Sequence, residues 1–312
     1  MSRTSSNGAQ RRVTRFKNRP VRPGDPSVRP KGRLLIIGGH EDRNEGKVIL
    51  RQLANLVGSG KLVVATVASE KPDSMWEEYE DTMRAVGVRH LHHLQVESRA
   101  DAESTRAMRV LEKAKGVFFT GGDQLRLTTM IGDTPVFSRC HEIFVGGGVI
   151  AGTSAGAAVM SETMIVSGNG DASPRIGELL QLAPGFGFAK DMLIDQHFAE
   201  RGRLGRLMGV VAQNPRILGV GIDENTAIDV EAGRRFRVIG KGGVTVLDGS
   251  NVTYTNVVAE AKDRALSVFD VRLHLLTQGD EFSLVDRSPA DGSAEDVDEA
   301  LGVGSANGKR RR

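Results

Sequence analysis

Short apolar runs alternate with longer amphipathic segments along most of this chain, and that alternation limits the folds available to it. The predicted strands are 34–37, 61–67, 91–94 and 117–120, and the predicted helices between them are 45–57, 74–85 and 102–115. A repeated strand–helix order is typical of parallel sheets, because each parallel connection needs a crossover. The sequence therefore predicts an α/β fold with a doubly wound, mainly parallel sheet.

After Glu224 the pattern changes to short β-type runs separated by turns. These runs are 226–230, 235–239, 244–247 and 252–254, and they predict an antiparallel β extension towards the C-terminus. Before them, glycines at 38–39, 121–122 and 152 end or interrupt three predicted strands. The carboxyl ends of parallel strands meet at one edge of a sheet, where α/β proteins bind ligands. We expect the functional site at that edge.

The charges of the 312 residues are unevenly distributed. Residues 1–33 carry ten Lys or Arg and one acidic residue, Asp25, whereas residues 34–286 carry 27 basic and 33 acidic residues. We predict a disordered basic arm over 1–31, a single α/β domain over 32–286 and a disordered polar tail over 287–312. Phe16 is the only aromatic residue among the charges of the arm, so we interpret the arm as a solvated extension and expect no nucleic-acid partner.

Composition argues against several classes of protein. No stretch approaches 18 apolar residues and the N-terminus has no apolar h-region, so we expect no membrane span, no secretory signal and a cytoplasmic location. Cys140 is the only cysteine, which excludes an intrachain disulfide, and its place in a predicted helix favours a structural role.

Two histidine-containing runs are candidates for metal ligands. His40, Glu41 and Asp42 are adjacent on one turn, and adjacent side chains rarely converge on one ion. His92 and His93 face opposite sides of a predicted strand. The sequence therefore predicts no metal and no other cofactor.

The segment 152–156, G-T-S-A-G, joins an apolar β-type run to an alanine-rich segment suited to a helix. A serine in this strand–turn–helix context is typical of a nucleophile elbow, in which small neighbours permit a backbone with positive φ. Ser154 is the candidate nucleophile. The alternative is an ordinary βα turn with a capping Ser or Thr.

A double glycine follows the strand predicted at 117–120 and exposes backbone N–H groups at the sheet edge. The N–H groups of Gly122 and Ala155 are therefore candidates for an oxyanion hole. Gln124 would present a neutral amide to the bound molecule. Taken alone, the segment is a loop with a helix cap at Asp123.

His197 stands at the end of an apolar strand, after Asp195 and Gln196, where a general base would be placed. Glu224 ends a further apolar strand and is a candidate for orienting the imidazole. Asp171, in the glycine-rich loop after the elbow, competes for this role. The order Ser–His–Glu differs from the Ser–acid–His order of α/β-hydrolases and so favours another α/β scaffold.

Three arginines, Arg201, Arg203 and Arg206, follow the candidate base within ten residues. Guanidinium groups bind carboxylates with two parallel hydrogen bonds, so these residues indicate an acidic substrate. Arg203 and Arg206 are also i, i+3 neighbours, and a solvated helix face is the alternative.

Taken together, these motifs resemble those of cyanophycinases, serine exopeptidases related to peptidase E. The matching segments are G-G-H-E-D at 38–42, F-T-G-G-D-Q at 119–124, G-T-S-A-G-A-A-V-M-S-E-T-M at 152–164, D-Q-H-F-A-E-R-G-R-L-G-R-L at 195–207 and G-I-D-E-N-T-A at 221–227. The resemblance spans about residues 32–285. It implies a flavodoxin-like fold similar to class I glutamine amidotransferases, a homodimer, and hydrolysis of cyanophycin, a poly-aspartate bearing arginine on each β-carboxyl group, to β-Asp-Arg dipeptides.

By position, the resemblance implies Ser154 as nucleophile, His197 as base and Glu224 as the third member. The residues that it implies for the substrate pocket are Gln124, Asp195, Gln196, Arg201, Arg203 and Arg206. Arg201, Arg203 and Arg206 would bind substrate carboxylates, and the other three would bind the substrate guanidinium. Peptidase E takes its acid from the loop after the elbow, so Asp171 stays open as an alternative, although Ala172 stands where the family often has an acidic residue.

Two other functions stay open. A peptidase E-like enzyme that cleaves α-aspartyl dipeptides would keep the same three catalytic residues, with less need for three arginines. A non-catalytic protein would instead bind a polyanion through the basic arm.

Overall fold

The computed structural model describes residues 30–167, 180–258 and 264–290. Most of the predicted arm, up to residue 29, and the tail from residue 291 onward lie outside these ranges. Asp171 also lies outside the described residues.

Five consecutive parallel strands form one side of a nine-stranded sheet. Their bounds are Arg33–Ile37 (β1), Lys61–Ala65 (β2), His90–Leu94 (β3), Ala114–Phe119 (β4) and Val149–Thr153 (β5). They lie in the order β1-β5-β4-β2-β3, and all four of their pairings are parallel. The predicted parallel core is confirmed. Since β1 and β4 flank β5, the glycines that follow β1 and β4 lie on either side of the end of β5, as expected from the strand ends.

Helices cover both faces of this sheet, whereas the helix at 204–213 packs against a second sheet described below. Their bounds are Val48–Val57 (α1), Pro72–Ala85 (α2), Arg99–Ala102 (α3), Thr105–Leu111 (α4), Gln124–Ile131 (α5), Pro135–Val145 (α6), Ala155–Ala158 (α7) and Leu204–Gln213 (α8). The predicted helix over 102–115 is wrong in extent. The Ser104 hydroxyl accepts a hydrogen bond from the Ala107 N–H and begins a separate helix, and β4 already starts at Ala114.

Antiparallel strands extend the same sheet beyond β1, which confirms the predicted extension. They are Thr226–Glu231 (β10), Arg235–Gly240 (β11), Glu281–Ser283 (β16) and Ser288–Pro289 (β17), in the order β17-β16-β11-β10-β1. Residues 287–290, assigned to the tail by the sequence pattern, are described, and β17 pairs with β16. The Arg287 guanidinium also donates to the buried Asp248 carboxylate at 2.8 Å.

Four further strands form a second sheet that the sequence pattern did not separate from the first. They are Met192–Gln196 (β8), Leu218–Ile222 (β9), Val244–Asp248 (β12) and Arg272–Leu276 (β15), in the order β15-β12-β9-β8. The pair β8–β9 is parallel, so both strands end on the same side. Two small antiparallel pairs complete the described strands: Thr163–Ser167 (β6) with Gln181–Pro184 (β7), and Tyr254–Thr255 (β13) with Val268–Phe269 (β14).

Alternate residues of the central strands pack into two different cores. Leu34 and Ile36 of β1 join the larger cluster, which also includes Ile194 and Val220 of the second sheet. Leu35 of β1 faces the opposite side and packs with residues of α1 and α2. A hydrophobic layer thus connects the two sheets.

Cys140 is buried in α6, and burial raises the pKa of its thiol to about 12. This inert thiol fits the structural role inferred for it. Within the described ranges, no helix has the length and apolar character needed to cross a membrane.

Candidate active site

Ser154 lies on a sharp turn between β5 and the single-turn helix α7. Its φ of 53° and ψ of −113° are values that a non-glycine residue rarely adopts. The turn is fixed by backbone hydrogen bonds: the Ser154 N–H donates to the Ile37 carbonyl at 3.1 Å, and the Ser154 carbonyl accepts from Ala157 and Ala158. This geometry is that of a nucleophile elbow.

The glycines of the elbow permit close packing of α7 against the strands. A Cβ on Gly152 would lie 2.3 Å from the Gly156 carbonyl oxygen, and a Cβ on Gly156 would lie 2.2 Å from the Phe119 carbonyl oxygen. Both contacts are with backbone, which has little freedom to move. The small residues at 152 and 156 are therefore a packing requirement of this turn.

Ser154, His197 and Glu224 form a hydrogen-bonded series. The Ser154 hydroxyl lies 2.8 Å from Nε2 of His197, and Nδ1 of the same ring lies 2.6 Å from Oε1 of Glu224. The serine follows β5 of the nine-stranded sheet, whereas the histidine and the glutamate follow the neighbouring strands β8 and β9 of the second sheet. The parallel pairing of β8 and β9 brings their ends together, as the sequence predicted for Glu224.

The pKa values of the two titratable partners are shifted in directions that suit base catalysis. Burial lowers the pKa of His197, and this effect outweighs the hydrogen bond to Glu224, which raises it. Burial alone would raise the pKa of Glu224, but hydrogen bonds from His40 and His197 outweigh it, so the pKa lies below its ordinary value. At neutral pH the imidazole is therefore neutral and the carboxylate is ionised.

The loop after β1 fixes the position of the imidazole. The His197 N–H donates to the Gly38 carbonyl and the Asn225 N–H donates to the Gly39 carbonyl, both at 2.8 Å. Gly39 has a φ of 111°, and a Cβ on it would lie 2.3 Å from Cε1 of the His197 ring. A glycine is therefore needed at position 39 for the ring to occupy its place.

Two backbone N–H groups are available beside the serine. Neither Gly122 nor Ala155 donates its N–H to an acceptor among the described residues. A Cβ on Gly121 would lie 3.8 Å from the Ser154 hydroxyl oxygen, so this glycine loop passes directly beside the candidate nucleophile. The arrangement suits an oxyanion that develops next to Ser154.

Residues 40 and 41 contact the site, a role that the sequence pattern did not assign to them. His40 Nδ1 lies 2.7 Å from Oε2 of Glu224, opposite the oxygen that His197 contacts. Glu41 is buried and accepts hydrogen bonds from Tyr79 and, at 2.5 Å, from Thr153, the residue before the serine. The sequence did contain an indication of this role, because both residues follow the predicted strand at 34–37, and this strand (β1) pairs with β5, which precedes Ser154.

The arginines after the base do not all face outward. Arg206 is 8% exposed and donates two hydrogen bonds to the carboxylate of Asp195, which is 2% exposed. Arg203 donates to Asp195 at 3.3 Å and to the side chain and carbonyl of Gln196. The guanidinium edge of Arg206, expected to meet a substrate carboxylate, is instead paired within the protein, because Asp195 is buried beside it. Arg201 is exposed.

Burial lowers the pKa of Arg203 to about 10, and the opposing effect of Asp195 is smaller. Arg203 therefore remains a cation at neutral pH. The side-chain amide of Gln124 donates to the Ile165 carbonyl at 3.1 Å, which attaches the start of α5 to β6.

One group of residues also has the composition of a metal site. Ligand atoms of His40, His197 and Glu224 all lie within 4.8 Å of one another. The sequence pattern did not predict this group, because its members come from three separate strand ends.

The geometry supports nucleophilic catalysis at Ser154. A neutral imidazole at 2.8 Å can accept the hydroxyl proton, and an ionised carboxylate can stabilise the resulting imidazolium. The N–H groups of Gly122 and Ala155, which have no acceptor in the described part of the chain, can receive an oxyanion.

Comparisons with known proteins agree with this chemistry. The sequence profile of peptidase family S51 matches residues 34–238. A cyanophycinase of Synechococcus elongatus is 41% identical over 257 residues, which cover 81% of this chain and 80% of that relative. A cyanophycinase of Trichormus variabilis is 38% identical over 261 residues, which cover 83% of this chain and 87% of that relative.

A solved structure shares the fold. The crystal structure of a peptidase from an acI-B1 actinobacterium superposes with a TM-score of 0.61 at 22% identity, and the match covers 82% of this chain and 98% of that one. The sequence matches confirm the resemblance to cyanophycinases that the motifs indicated. The chain belongs to peptidase family S51.

Proposed function

We propose that this chain is a cyanophycinase, a serine exopeptidase that hydrolyses cyanophycin to β-Asp-Arg dipeptides through an acyl-enzyme. The observation that carries the proposal is the series Ser154–His197–Glu224, with contacts of 2.8 and 2.6 Å, next to the buried pair of Asp195 and Arg206. The identity of 41% with a cyanophycinase supports the choice of substrate.

The product defines the bond that is cleaved. A β-Asp-Arg dipeptide keeps its arginine on the β-carboxyl group, so the hydrolysed bond is the main-chain amide of the poly-aspartate. Ser154 Oγ attacks the carbonyl carbon of this amide while His197 Nε2 takes the hydroxyl proton. The oxyanion is held by the N–H groups of Gly122 and Ala155.

Collapse of the tetrahedral intermediate breaks the C–N bond, and His197 gives its proton to the leaving amine. Water then adds to the Ser154 ester with His197 again as base, and the second collapse releases a carboxylate and restores the serine. Glu224 holds the ring so that Nδ1 carries a proton and Nε2 faces the serine.

Glu224 is our choice for the third member of the series. Its carboxylate lies 2.6 Å from His197 and has a second hydrogen-bond partner in His40. The Glu224 N–H also donates to both oxygens of Glu200 at 3.2 Å, which ties its backbone to the segment that follows His197. These contacts support Glu224 over Asp171.

Substrate recognition follows from the charges around the base. The residues proposed to form the pocket are Gln124, Asp195, Gln196, Arg201, Arg203 and Arg206. The exposed Arg201 and the remaining donors of Arg203 are suited to the substrate carboxylates. Arg206 acts indirectly, because its two hydrogen bonds hold the Asp195 carboxylate in place.

The proposal also includes a cytoplasmic homodimer that uses neither a membrane nor nucleic acid. These parts rest on the sequence pattern and the family resemblance. Sedimentation of the purified protein tests the dimer. Salt-dependent DNA binding that is lost on deletion of residues 1–29 would instead support a polyanion-binding function.

The decisive experiment adds the purified protein to a cyanophycin suspension. We expect the suspension to clear and β-Asp-Arg to accumulate. The Ser154→Ala variant, the matched control, should lose roughly three orders of magnitude in kcat with its fold intact. Faster cleavage of α-aspartyl dipeptides than of cyanophycin would favour the peptidase E-like alternative. Near-normal turnover by Ser154→Ala would contradict serine catalysis.

A further inference from the structure

Two imidazole rings contact the carboxylate of Glu224, which is partly exposed to solvent. His197 Nδ1 lies 2.6 Å from Oε1, and His40 Nδ1 lies 2.7 Å from Oε2. The rings of the two histidines meet edge to face, with centroids 5.1 Å apart. Both Nδ1 atoms therefore point towards one carboxylate, from different strand ends.

We propose that His40, His197 and Glu224 form an inhibitory binding site for Zn²⁺, at which the metal inactivates the enzyme by changing the tautomer of His197. Two imidazole nitrogens and one carboxylate are a common ligand set for Zn²⁺ with three protein ligands, with a fourth position left for water. The ligand atoms lie within 4.8 Å of one another, so small side-chain movements bring them to coordination distance.

Solvent reaches this group from one side. The His40 side chain is 67% exposed and Glu224 is 25% exposed, whereas His197 is only 4% exposed. An ion therefore approaches past His40 and the carboxylate and meets the buried ring last. His40 completes the ligand set, since the other two members already belong to the catalytic series.

The expected inhibition follows from the position of one proton. In the active arrangement Nδ1 of His197 carries hydrogen and donates to Glu224, and Nε2 has the lone pair that accepts the Ser154 proton. A metal bond at Nδ1 needs a lone pair on Nδ1 itself, so the ring hydrogen must move from Nδ1 to Nε2. The same shift occurs at His40, and neither ring loses a proton overall. With hydrogen on Nε2, His197 can donate to Ser154 but cannot accept its proton.

The ligand chemistry also predicts which ions inhibit. Imidazole suits Zn²⁺, whereas Mg²⁺ and Ca²⁺ prefer sites made entirely of oxygen ligands. Millimolar Mg²⁺ should therefore leave activity unchanged. Inhibition by Zn²⁺ rests on the proposed catalytic role of His197 and Glu224, and it is expected whichever aspartyl polymer or peptide is the substrate.

Zn²⁺ binding is measured by calorimetry on Ser154→Ala protein, which keeps all three ligands and does not turn over substrate. We compare this protein with two further variants in the same background, His40→Asn and His92→Ala. Asparagine tolerates the positive φ of 44° at position 40. His92 is an exposed histidine on β3 and serves as the matched control.

We expect one Zn²⁺ per chain, a loss of affinity of about tenfold or more in His40→Asn, and no change in His92→Ala. Absence of binding, or equal affinity in all three proteins, overturns the site. This readout is independent of activity, so it separates failure of the metal site from failure of the proposed function.

Activity is then measured with the native serine restored, each protein relative to its own metal-free rate. Zn²⁺ should inhibit, and EDTA should restore the full rate. The inhibition constant should rise by about tenfold or more in His40→Asn. Zn²⁺ bound without inhibition, or inhibition of equal strength in His40→Asn, would contradict the tautomer mechanism.

Discussion

Four non-glycine residues around the nucleophile have positive φ angles: 44° at His40, 53° at Ser154, 48° at His197 and 48° at Asn225. Such conformations cost about 1–3 kcal/mol each and persist only where the surroundings enforce them. Here the backbone hydrogen bonds to 38–39 supply part of that constraint. A constrained backbone therefore fixes the directions of the side chains in the site.

Substitution of Glu224 tests its role as the acid that orients His197. Glu224→Gln keeps the shape of the side chain but cannot hold His197 in the productive tautomer, so kcat should fall by about two to four orders of magnitude. Asp171→Asn, the matched control, should stay close to the unmodified protein. Kinetics on a soluble cyanophycin fragment provide the measurement. A larger loss in Asp171→Asn than in Glu224→Gln would show that we chose the wrong carboxylate.

Activity should also depend on pH. Burial lowers the pKa of His197 below its ordinary value of 6.5, and the base works only when neutral. As pH falls through the lowered pKa the ring gains a proton and activity is lost, so the acid limb of kcat/KM should lie below pH 6.5. A profile from about pH 5 to about pH 8 tests this. A midpoint at or above neutral pH is incompatible with a desolvated, neutral imidazole.

The site depends on which strands are neighbours in each of the two sheets. The sequence predicted the strand ends near 38, 121 and 152 correctly, because glycine after a buried apolar run is a local signal. It did not predict that β8 and β9 leave the main sheet, since a short buried strand has the same local pattern in either sheet. The partners of Arg206 and His40 were missed for a related reason: they depend on tertiary contacts.

Gly39 allows a prediction about the loop after β1. In Gly39→Ala the new Cβ meets the His197 ring, so kcat should fall by about a hundredfold through misplacement of the base. Gly87→Ala is the matched control, since Gly87 has a φ of 98° and nothing within 4 Å of its Cβ position. Both variants carry backbone strain, but only Gly39→Ala should lose activity. Equal activity would mean that the ring can move aside.

Arg206 allows a prediction about α8. Arg206→Gln leaves the buried Asp195 without its main partner, so the protein should lose about 3 kcal/mol of stability and roughly ten- to hundredfold in kcat/KM. Arg206→Lys should recover part of both, because an ammonium group cannot form two parallel hydrogen bonds. Arg201→Gln, at an exposed position, should leave the melting temperature unchanged. Denaturant titration and kinetics provide the two readouts.

The described C-terminal residues connect the two sheets through an ion pair. Asp248 of the second sheet is fully buried and binds Arg287, which lies between β16 and β17 of the main sheet. The fold class, the parallel core and the antiparallel extension could be predicted, because they follow from periodicity along the chain. The position of this last ion pair could not, because it joins residues 39 positions apart in different sheets.

Removal of Arg287 should therefore destabilise the fold. Burial raises the pKa of Asp248, but hydrogen bonds from Arg287 and Ser250 outweigh this and lower it. A lowered pKa adds stability that is present at neutral pH and is lost as pH falls through the folded-state pKa. Arg287→Gln should cost about 2 kcal/mol at neutral pH and progressively less in acid.

Arg235→Gln, which removes an exposed arginine that pairs with Glu231 and Glu281, is the control and should have a smaller effect on the melting temperature. Thermal unfolding at neutral and acidic pH provides the measurement. If the loss of stability in Arg287→Gln does not change with pH, that loss does not come from the charge of Asp248.

The nucleophile belongs to one sheet, and the base with its carboxylate belongs to the other. The hydrogen bond of 2.8 Å between Ser154 and His197 therefore joins two sheets that share no strand pairing. A slip of about 1 Å between the sheets would break that bond and leave every strand pairing intact. A preparation with a native circular dichroism spectrum can therefore be inactive. Turnover is a more sensitive measure than circular dichroism of whether the two sheets are correctly packed together.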